Sequence, residues 1–447
     1  MRHSSFAKTF FAISIPIAIQ NLLASFLNLV DNVMVGRLGD TAIAAVSQAN
    51  QLFFLLNLAL FGTCSGMQIL AAQFWGKRDI PNIKKVLGLG LLSVTVIALL
   101  GTAVGLFLPR QFISLFSHDA TAIALGVGYE RIVAVSFLFT AISLIFSAIL
   151  RSVEQVKLPL FATIFSLLVN IVLNYLLIFG KWGFPELGVN GAAVATLTAR
   201  VVECLIIVAA TYFGHYPVAA RAKELFSFTK SFAKNCYKVV LPVTANETLW
   251  SLGLCTYAAI YGYLGTPVVA ATNIVSTVQR LVSAFFFGSS YAASIMIGKA
   301  IGAHEQEKAY RYAKLHMIIG TVLGALSALV MILSRDFVLS FFEISPEALY
   351  YGRIMMVIYG VSMVFQALNV VGICGVLRAG GDTKIALIID TSTVWLLGLP
   401  LGIITTVMGL PAEWVYLAIN AECVVKFALL MWRFMGNRWM RNVVDDL

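Results

Sequence analysis

The chain has 447 residues, of which 60% are hydrophobic and only 12% are charged. A soluble domain of this length carries a much larger charged fraction, so the composition excludes an ordinary soluble protein. The formal net charge is +10. Because the basic residues lie between the apolar stretches, we attribute this charge to loops at a lipid surface and not to nucleic-acid binding.

Apolar stretches of membrane-spanning length recur along the whole chain. We place twelve spans at roughly 10–35, 43–74, 86–108, 122–150, 159–180, 189–213, 236–264, 268–300, 312–334, 350–377, 384–409 and 413–434. They lack the alternation of polar and apolar residues that outer-membrane barrels need, which excludes strands. The sequence therefore predicts an all-α integral membrane protein with twelve transmembrane helices in two homologous six-helix lobes.

The first span carries polar side chains along one predicted helix face. Gln20 and Asp31 lie about 20° apart around the helix, and Asn28 lies about 80° from Gln20. Pro16 removes one backbone hydrogen bond and permits a bend. An ionisable side chain within a span is a functional candidate by default, so Asp31 is our first candidate for ion coupling. The alternative is an aspartate near a helix end that its neighbours satisfy.

The fourth and fifth spans add further polar residues. Glu130 and Arg131 lie near the outer end of the fourth span, where we expect them to form part of an entrance. Asn170 and Asn174 are four residues apart and share one face of the fifth helix. There they either bind a cation or hold helices together.

One longer non-membrane segment joins the two halves of the chain. Its mixture of lysine, arginine, phenylalanine and serine predicts an amphipathic stretch on the inner leaflet. We therefore assign one six-helix lobe to 1–213, a cytoplasmic linker to 214–235 and a second six-helix lobe to 236–447.

The second half has its own ionisable residues within predicted spans. Glu247 in the seventh span is either an ion-coupling group or a carboxylate hydrogen-bonded for packing. Arg280 in the eighth span has no local partner, and we consider it as a counter-ion to Glu247 or Asp31. Asp390 lies in the inner half of the eleventh span, where a coupling role and a structural role are equally open.

Other charged residues in the spans have partners at helical spacing. Arg200 and Glu203 are three residues apart in the sixth span, and Glu422 and Lys426 are four apart in the twelfth. Side chains at these spacings are neighbours on a helix surface. We therefore predict that each pair neutralises itself and is structural.

The two halves of the chain repeat one another without a gap. Four short matches share one shift of 226 positions, as from Pro16 to Pro242. The matched segments are Ile15–Ile17 with Leu241–Val243, Leu38–Gly39 with Leu264–Gly265, Ala44–Ala45 with Ala270–Ala271, and Phe61–Gly62 with Phe287–Gly288. A repeat of this kind is typical of secondary transporters that work by alternating access.

The distribution of basic residues predicts the topology. With the N-terminus in the cytoplasm, the basic segments around 77–85, 221–238, 308–314 and 433–441 all fall on the cytoplasmic side. An even number of spans then places both termini there, in agreement with the positive-inside rule. We expect a multi-pass protein of the inner (plasma) membrane.

No motif of an enzyme is present in the sequence. It contains no P-loop, HExxH or GxSxG, and its six cysteines form no CxxC pair. We therefore expect neither an enzyme nor a resident metal or other cofactor. Transport by such a chain is either driven by an ion gradient or passive.

Several motifs in order along the chain resemble the multidrug and toxic compound extrusion (MATE) family, over about 10–435. They are Pro16 followed by Asp31–Gly39, Asn170–Asn174 with Leu177–Gly180, Gly191–Thr196 and Leu377–Thr383. The resemblance implies a pair of six-helix lobes that exports organic cations in exchange for H⁺ or Na⁺.

The resemblance also implies roles for individual residues. Asp31 matches the family's first-helix aspartate, implicated in proton or Na⁺ coupling, and Pro16 matches its bending proline. Asn170 matches the fifth-helix asparagine, whereas Asn174 replaces an acid of the DinF-type branch. Glu247 resembles the seventh-helix glutamate of the NorM-type branch, although it lies about one turn closer to its proline. The tenth-helix acid of that branch has no counterpart at 354–376, and Asp390 is a candidate substitute.

The sequence thus predicts an antiporter that exports small organic cations in exchange for H⁺, with Na⁺ as the alternative. The ion-coupling candidates are Asp31, Glu247 and Asp390, and Na⁺, if used, would bind at Asp31 or Glu247. The candidates for binding substrate or cation are Gln20, Asn28, Asn170, Asn174 and Arg280. We expect a monomer that contacts membrane lipids and no nucleic acid.

Two other functions remain open at this stage. A lipid-linked oligosaccharide flippase would need several basic residues to attract a pyrophosphate, and the spans offer only Arg280 as a central base. A membrane scaffold that transports nothing would leave the cost of the interior acids unexplained.

Overall fold

The computed structural model describes residues 3–116, 119–342 and 344–445. Within these ranges the chain is helical and has no β-strand, which confirms the predicted all-α fold. Eleven helical segments in these ranges are long and apolar enough to cross a membrane, judged by length and composition, and two of the eleven each consist of two consecutive helices. The seventh expected span is the 34-residue helix Lys230–Tyr263, which is less apolar because it carries three lysines near its start and a polar run at 244–248.

In the described part of the first half, six long helices alternate with short connections, and two short helices lie between them. They are α1 (His3–Gly36), α2 (Asp40–Gly76), α3 (Ile80–Phe107), α4 (Pro109–Ile113), α5 (Ala120–Ser152), α6 (Lys157–Phe179), α7 (Val189–Phe213) and α8 (Ala222–Leu225).

The second half has the same order of helices, with the last spans interrupted. They are α9 (Lys230–Tyr263), α10 (Thr266–Gly302), α11 (Gln306–Leu333), α12 (Arg335–Leu339), α13 (Pro346–Val370), α14 (Thr383–Thr393), α15 (Leu399–Val407), α16 (Ala412–Asn420) and α17 (Glu422–Met435). Wider, π-helical turns at Val371–Leu377 continue α13, and others at Val394–Gly398 join α14 to α15. Such turns disturb the regular helical ladder and are frequent near functional groups.

The helices of the two halves correspond in length as well as in order. Both α1 and α9 have 34 residues, α2 and α10 have 37, and α3 and α11 have 28. Gly39 and Gly265, which match in the sequence repeat, precede α2 and α10 with φ angles of 102° and 114°. Since L-residues with a side chain rarely adopt this conformation, glycine is required at both turns. The sequence repeat is therefore a structural repeat.

By its internal contacts, the chain divides into two compact units. Unit A is Ile19–Val240, and unit B combines the chain up to Ala18 with the chain from Leu241 onward. The boundaries fall inside α1 and α9, close to Pro16 and Pro242. These bounds differ from those of the sequence-based lobes, because the long first helix of each half contributes residues to both units.

Unit A is built around α5, which packs against α2, α3 and α7. Helix α7 also packs closely on α6. A Cβ atom at Gly191 of α7 would lie 2.5 Å from the backbone oxygen of Leu177 on α6. Because no side chain fits there, Gly191 sets the spacing of α6 and α7 next to Asn174.

The segment between α7 and α9 is docked on α3 within unit A. The Lys84 ammonium lies 2.9 Å from Glu224 Oε1, and this hydrogen bond lowers the pKa of Glu224. The backbone of Leu225 approaches Gly88 so closely that any side chain at Gly88 would meet it. Only the short helix α8 lies within the expected amphipathic linker before α9 begins at Lys230.

The chain after α17 folds back onto unit B. The backbone N–H of Arg441 donates to the Gly380 carbonyl at 2.8 Å, and the Trp439 side chain is fully buried. Arg433 Nε lies 2.6 Å from Asp382 Oδ2. The loop that carries the Leu377–Thr383 motif is therefore held by the C-terminal segment.

Candidate ion-binding clusters

The first cluster lies in unit A and joins α1 to α6. Asn174 Nδ2 donates to Asp31 Oδ1 at 2.5 Å and to Asn170 Oδ1 at 2.9 Å. Both asparagines are buried, whereas Asp31 is partly exposed. The four-residue spacing on α6 places the two amides on one face, as the sequence predicted. The structure thus brings three of the predicted site residues together, and we name them the Asp31 cluster.

The Asp31 cluster has more acceptors than donors. Asp31 forms no ion pair with any described residue, and Arg200 attracts it only from beyond ion-pair distance. The Oδ1 atom of Asn174 is buried and has no hydrogen-bond donor. Carboxylate and amide oxygens are hard ligands of the kind that alkali and alkaline-earth cations prefer. The arrangement can therefore accept either a proton on the carboxylate or a small cation among the oxygens.

Gln20 belongs to a different network of unit A. Its Nε2 donates to Thr163 Oγ1 at 3.0 Å, and its Oε1 accepts from Arg151 at 3.3 Å. Thr163 in turn donates to Glu203, whose other oxygen pairs with Arg200 at 2.9 Å. This network ties α1, α5, α6 and α7 together and contains the predicted pair of Arg200 and Glu203.

Two predicted site residues take no part in the buried clusters. The side chains of Asn28 and Arg280 are exposed. In the described chain, Glu247 has its ion-pair partner in Arg378, so Arg280 does not serve as its counter-ion here.

The second cluster lies in unit B and begins at Glu247. Arg378 Nη1 lies 2.6 Å from Glu247 Oε1, and the Arg378 side chain is buried. With its amide turned so that both atoms find partners, Asn246 accepts from Arg378 Nη2 at 2.5 Å and donates to Asp390 Oδ2 at 3.1 Å. Glu247 and Asp390 are thus connected through two side chains.

The same cluster continues from Asp390 to α17. Lys426 Nζ lies 2.8 Å from Asp390 Oδ1 and 3.6 Å from Glu422 Oε1. The Tyr257 hydroxyl donates to Glu422 Oε2 at 2.7 Å. The predicted local pair of Glu422 and Lys426 is present, but the shorter contact of Lys426 is with another helix.

We call this connected set of side chains the Glu247 cluster. Its members are Glu247, Arg378, Asn246, Asp390, Lys426, Glu422 and Tyr257. It holds three carboxylates and two basic groups, which leaves one formal negative charge when all are ionised. Buried charges are tolerated where they are paired and hydrogen-bonded. The cluster is therefore nearly neutral without a bound ion and can accept one proton or one small cation.

Sequence reasoning missed Arg378 as the partner of Glu247, and it paired Lys426 with Glu422 but missed its shorter contact with Asp390. Arg378 lies 131 residues from Glu247 along the chain, so no helical spacing links them. For Lys426 the available signal was chemical, because a basic residue inside a predicted span needs an acid nearby, whereas Arg378 follows directly after the predicted tenth span.

The comparisons with known proteins agree with the helical repeat. The MatE family model matches residues 16–176 and 242–404, the corresponding parts of the two halves. The uncharacterized transporter YisQ of Bacillus subtilis is 26% identical over 441 residues, covering 97% of this chain and 96% of that protein. The protein described as a probable multidrug resistance protein NorM of Thermotoga maritima is 24% identical and covers 98% of this chain and 94% of its own length.

Solved structures share the fold over nearly the whole chain. A crystal structure of MATE in complex with MaL6 superposes with a TM-score of 0.88 at 20% identity, covering 96% of this chain and 97% of that chain. A MOP superfamily transporter from Pyrococcus furiosus gives a TM-score of 0.86 at 20% identity, covering 96% of each. Since the family match extends over most of both halves, the chain belongs to the MatE family and is a multi-pass membrane transporter, not an enzyme.

Proposed function

We propose that this transporter is a multidrug efflux antiporter that exports small organic cations in exchange for H⁺, with Na⁺ as the alternative coupling ion. The observation that carries the proposal is the Asp31 cluster. Its carboxylate lies in a membrane helix and is bonded to an amide and not to a basic residue. An amide does not neutralise a charge, so this carboxylate needs a proton or a cation whenever water is excluded.

Competition at one carboxylate gives the exchange that an antiporter needs. A proton on Asp31 removes the negative charge that attracts an organic cation, whereas loss of the proton restores it. If the ion is Na⁺, the oxygens of Asp31, Asn170 and Asn174 would bind it instead. Because the two ligands exclude one another, binding of each favours release of the other.

The Glu247 cluster supports a second, assisting role for Glu247 and Asp390. Its basic groups leave one negative charge uncompensated, so one further proton or cation can bind there. Arg378 and Lys426 already occupy the positions that an ion would take beside these acids. We therefore assign the principal coupling role to Asp31 and not to Glu247 or Asp390.

The substrate class and the setting are part of the proposal. The relatives named multidrug resistance proteins favour drugs as substrates, and organic cations are the substrate class that the resemblance to the family implies. The basic segments favour an inner-membrane protein with both termini in the cytoplasm. Two repeats in one chain make a monomer sufficient, and membrane lipids are its expected neighbours.

The test is uptake of a fluorescent organic cation by inside-out vesicles, with pH and Na⁺ gradients imposed separately. We expect a pH gradient to drive uptake by the wild type, and Asp31→Asn to abolish it because asparagine cannot take up or release a proton. Asp336→Asn, the same change at an exposed position, is the matched control and should transport normally.

Other outcomes decide among the alternatives. Uptake driven by Na⁺ alone would replace H⁺ as the coupling ion. Normal uptake by the Asp31→Asn variant would remove Asp31 from the mechanism. If neither gradient moves any cation, the efflux proposal is overturned and flipping of a labelled lipid-linked sugar becomes the next assay.

A further inference from the structure

Glu130 on α5 is a buried acid that no part of the mechanism above uses. Its side chain is only 1% exposed, which contradicts the expected place at an entrance. Both carboxyl oxygens are buried and neither has a hydrogen-bond partner. Glu130 therefore differs from Asp31 and Glu247, which are both bonded to other side chains.

The surroundings of the Glu130 carboxyl are neutral and mostly apolar. A Cβ atom at Gly105 of α3 would lie 3.0 Å from Glu130 Oε1, next to Ala134 of α5 and Leu52 of α2. The missing side chain at Gly105 thus makes the space that the carboxyl occupies. The fold provides a specific place for this group, although nothing there satisfies a charge.

The charged groups of the neighbouring helices do not reach Glu130. Five helices pack against α5, namely α2, α3, α4, α6 and α7. Within the described chain, no residue of these helices forms an ion pair with the Glu130 carboxyl, and none carries a charge that acts on it. A carboxylate left in such a place would lose its hydration with nothing to replace it.

We propose that Glu130 is a second proton-binding group of unit A, protonated in this conformation. A neutral carboxyl tolerates a buried place without hydrogen-bond partners far better than a carboxylate does. The hydroxyl of the neighbouring Tyr129 donates to Asn50 Oδ1 on α2 at 3.4 Å and forms no hydrogen bond with the Glu130 carboxyl.

This inference rests on the proposed antiport and deepens it, since a second acid in unit A allows the transporter to hold a proton at one carboxyl while the other exchanges ions. It applies to the same unit but to a different carboxyl group. Its test therefore uses a readout that does not require transport.

Infrared difference spectra of the purified protein at neutral pH measure the proton on Glu130 directly. A protonated carboxyl has a C=O stretching band that a carboxylate lacks. We expect this band in the wild type and its loss in Glu130→Gln, which has nearly the shape of the neutral acid. Glu307→Gln, at an exposed position, is the matched control and should keep the band.

The infrared comparison can also contradict the proposal. If Glu130→Gln leaves the spectrum in this region unchanged, Glu130 is ionised in the folded protein and the proposal is overturned. Glu130→Met, with a similar volume and no carboxyl, provides the same comparison if the glutamine variant does not accumulate. Because the spectrum needs no substrate, failure of cation transport would leave this result intact.

Transport gives a second test of Glu130. Where transport is observed, Glu130→Gln should reduce the difference between the uptake rates at pH 6 and pH 8 without removing it, because Asp31 still exchanges protons. Glu307→Gln should keep the wild-type difference. A wild-type difference in Glu130→Gln as well would overturn the part of Glu130 in the antiport.

Discussion

At the scale of single residues, the candidate coupling acids of the two units have different kinds of partner. Glu247 and Asp390 are paired with Arg378 and Lys426. Asp31 has an amide as its partner. A built-in basic group fixes the charge of its acid, whereas an amide leaves the acid free to exchange a proton or a cation. The partner of each acid therefore distinguishes its role more clearly than burial does.

Arg378 offers a direct test of the Glu247 cluster. Arg378→Met should lower the free energy of unfolding by about 3–5 kcal/mol, because it leaves buried acids without their partner. The double variant with Glu247→Gln should be less destabilised than Arg378→Met alone, since the unpaired charge is also removed. Denaturant unfolding of the purified protein in detergent measures both.

The matched control is an exposed arginine. Arg353 pairs with Asp336 at 2.8 Å on the surface, and Arg353→Met should change stability by about 1 kcal/mol or less. Equal losses for Arg353→Met and Arg378→Met would contradict the buried role of Arg378.

At the scale of helices, the Asp31 cluster depends on how closely α7 approaches α6. Gly191→Ala introduces a Cβ atom against the Leu177 backbone, which cannot move out of the way as a flexible side chain could. We expect a loss of about 1–3 kcal/mol in the free energy of unfolding. Ligand binding to the Asp31 cluster should also weaken, because Asn174 lies one turn from Leu177 on α6. Thermal unfolding measures the loss of stability, and binding of a fluorescent organic cation measures the weaker ligand binding.

Gly262→Ala is the control for this change. A Cβ atom at Gly262 of α9 meets nothing within 4 Å, and alanine is the better helix former. This variant should be as stable as the wild type or slightly more stable. A similar loss in both variants would show that the contact of α6 with α7 is not the cause.

The docking of α8 on α3 should depend on pH. Because Lys84 lowers the pKa of Glu224 in the folded protein, this contact stabilises the docked segment above the ordinary glutamate value of 4.5. The stabilisation is lost as the pH falls through the lowered value. We expect amide-hydrogen protection at 219–227, corrected for intrinsic exchange, to be constant at neutral pH and to fall as the pH drops below the ordinary glutamate value of 4.5.

Glu224→Gln removes the titrating group from this contact. The variant should show weaker protection at neutral pH and no further loss on acidification, while Glu307→Gln should behave as the wild type. An unchanged acid-dependent loss in Glu224→Gln would assign the pH dependence to another group.

At the scale of the whole molecule, the repeat was readable from the sequence because it rests on local features. Pro16 and Pro242 recur at the same place in matched helices, and Gly39 and Gly265 meet the same backbone requirement. Side-chain spacing on one helix predicted that the amides of α6 share a face. Hydrophobic periodicity and turn chemistry are encoded over a few residues, so a single sequence is sufficient to recognise them.

Contacts between distant helices were not readable in the same way. Arg378 and Glu247 meet only after α9 and the end of α13 have packed together. Glu130 was placed near an entrance because it lies near the outer end of the fourth predicted span. Its position along the helix says nothing about Gly105, which gives the carboxyl space in the interior. Distances along the chain fix neither the partner nor the burial of such groups, and the tertiary fold decides both.

The division of α1 between the units has a consequence for the order of assembly during synthesis. Unit A is one continuous stretch, Ile19–Val240, so it can fold as soon as Val240 has been made. The chain up to Ala18 belongs to unit B and must wait for helices that are translated more than 200 residues later. This segment is thus synthesised before unit A but acquires its native contacts later, which exposes it longer to chaperones and proteases.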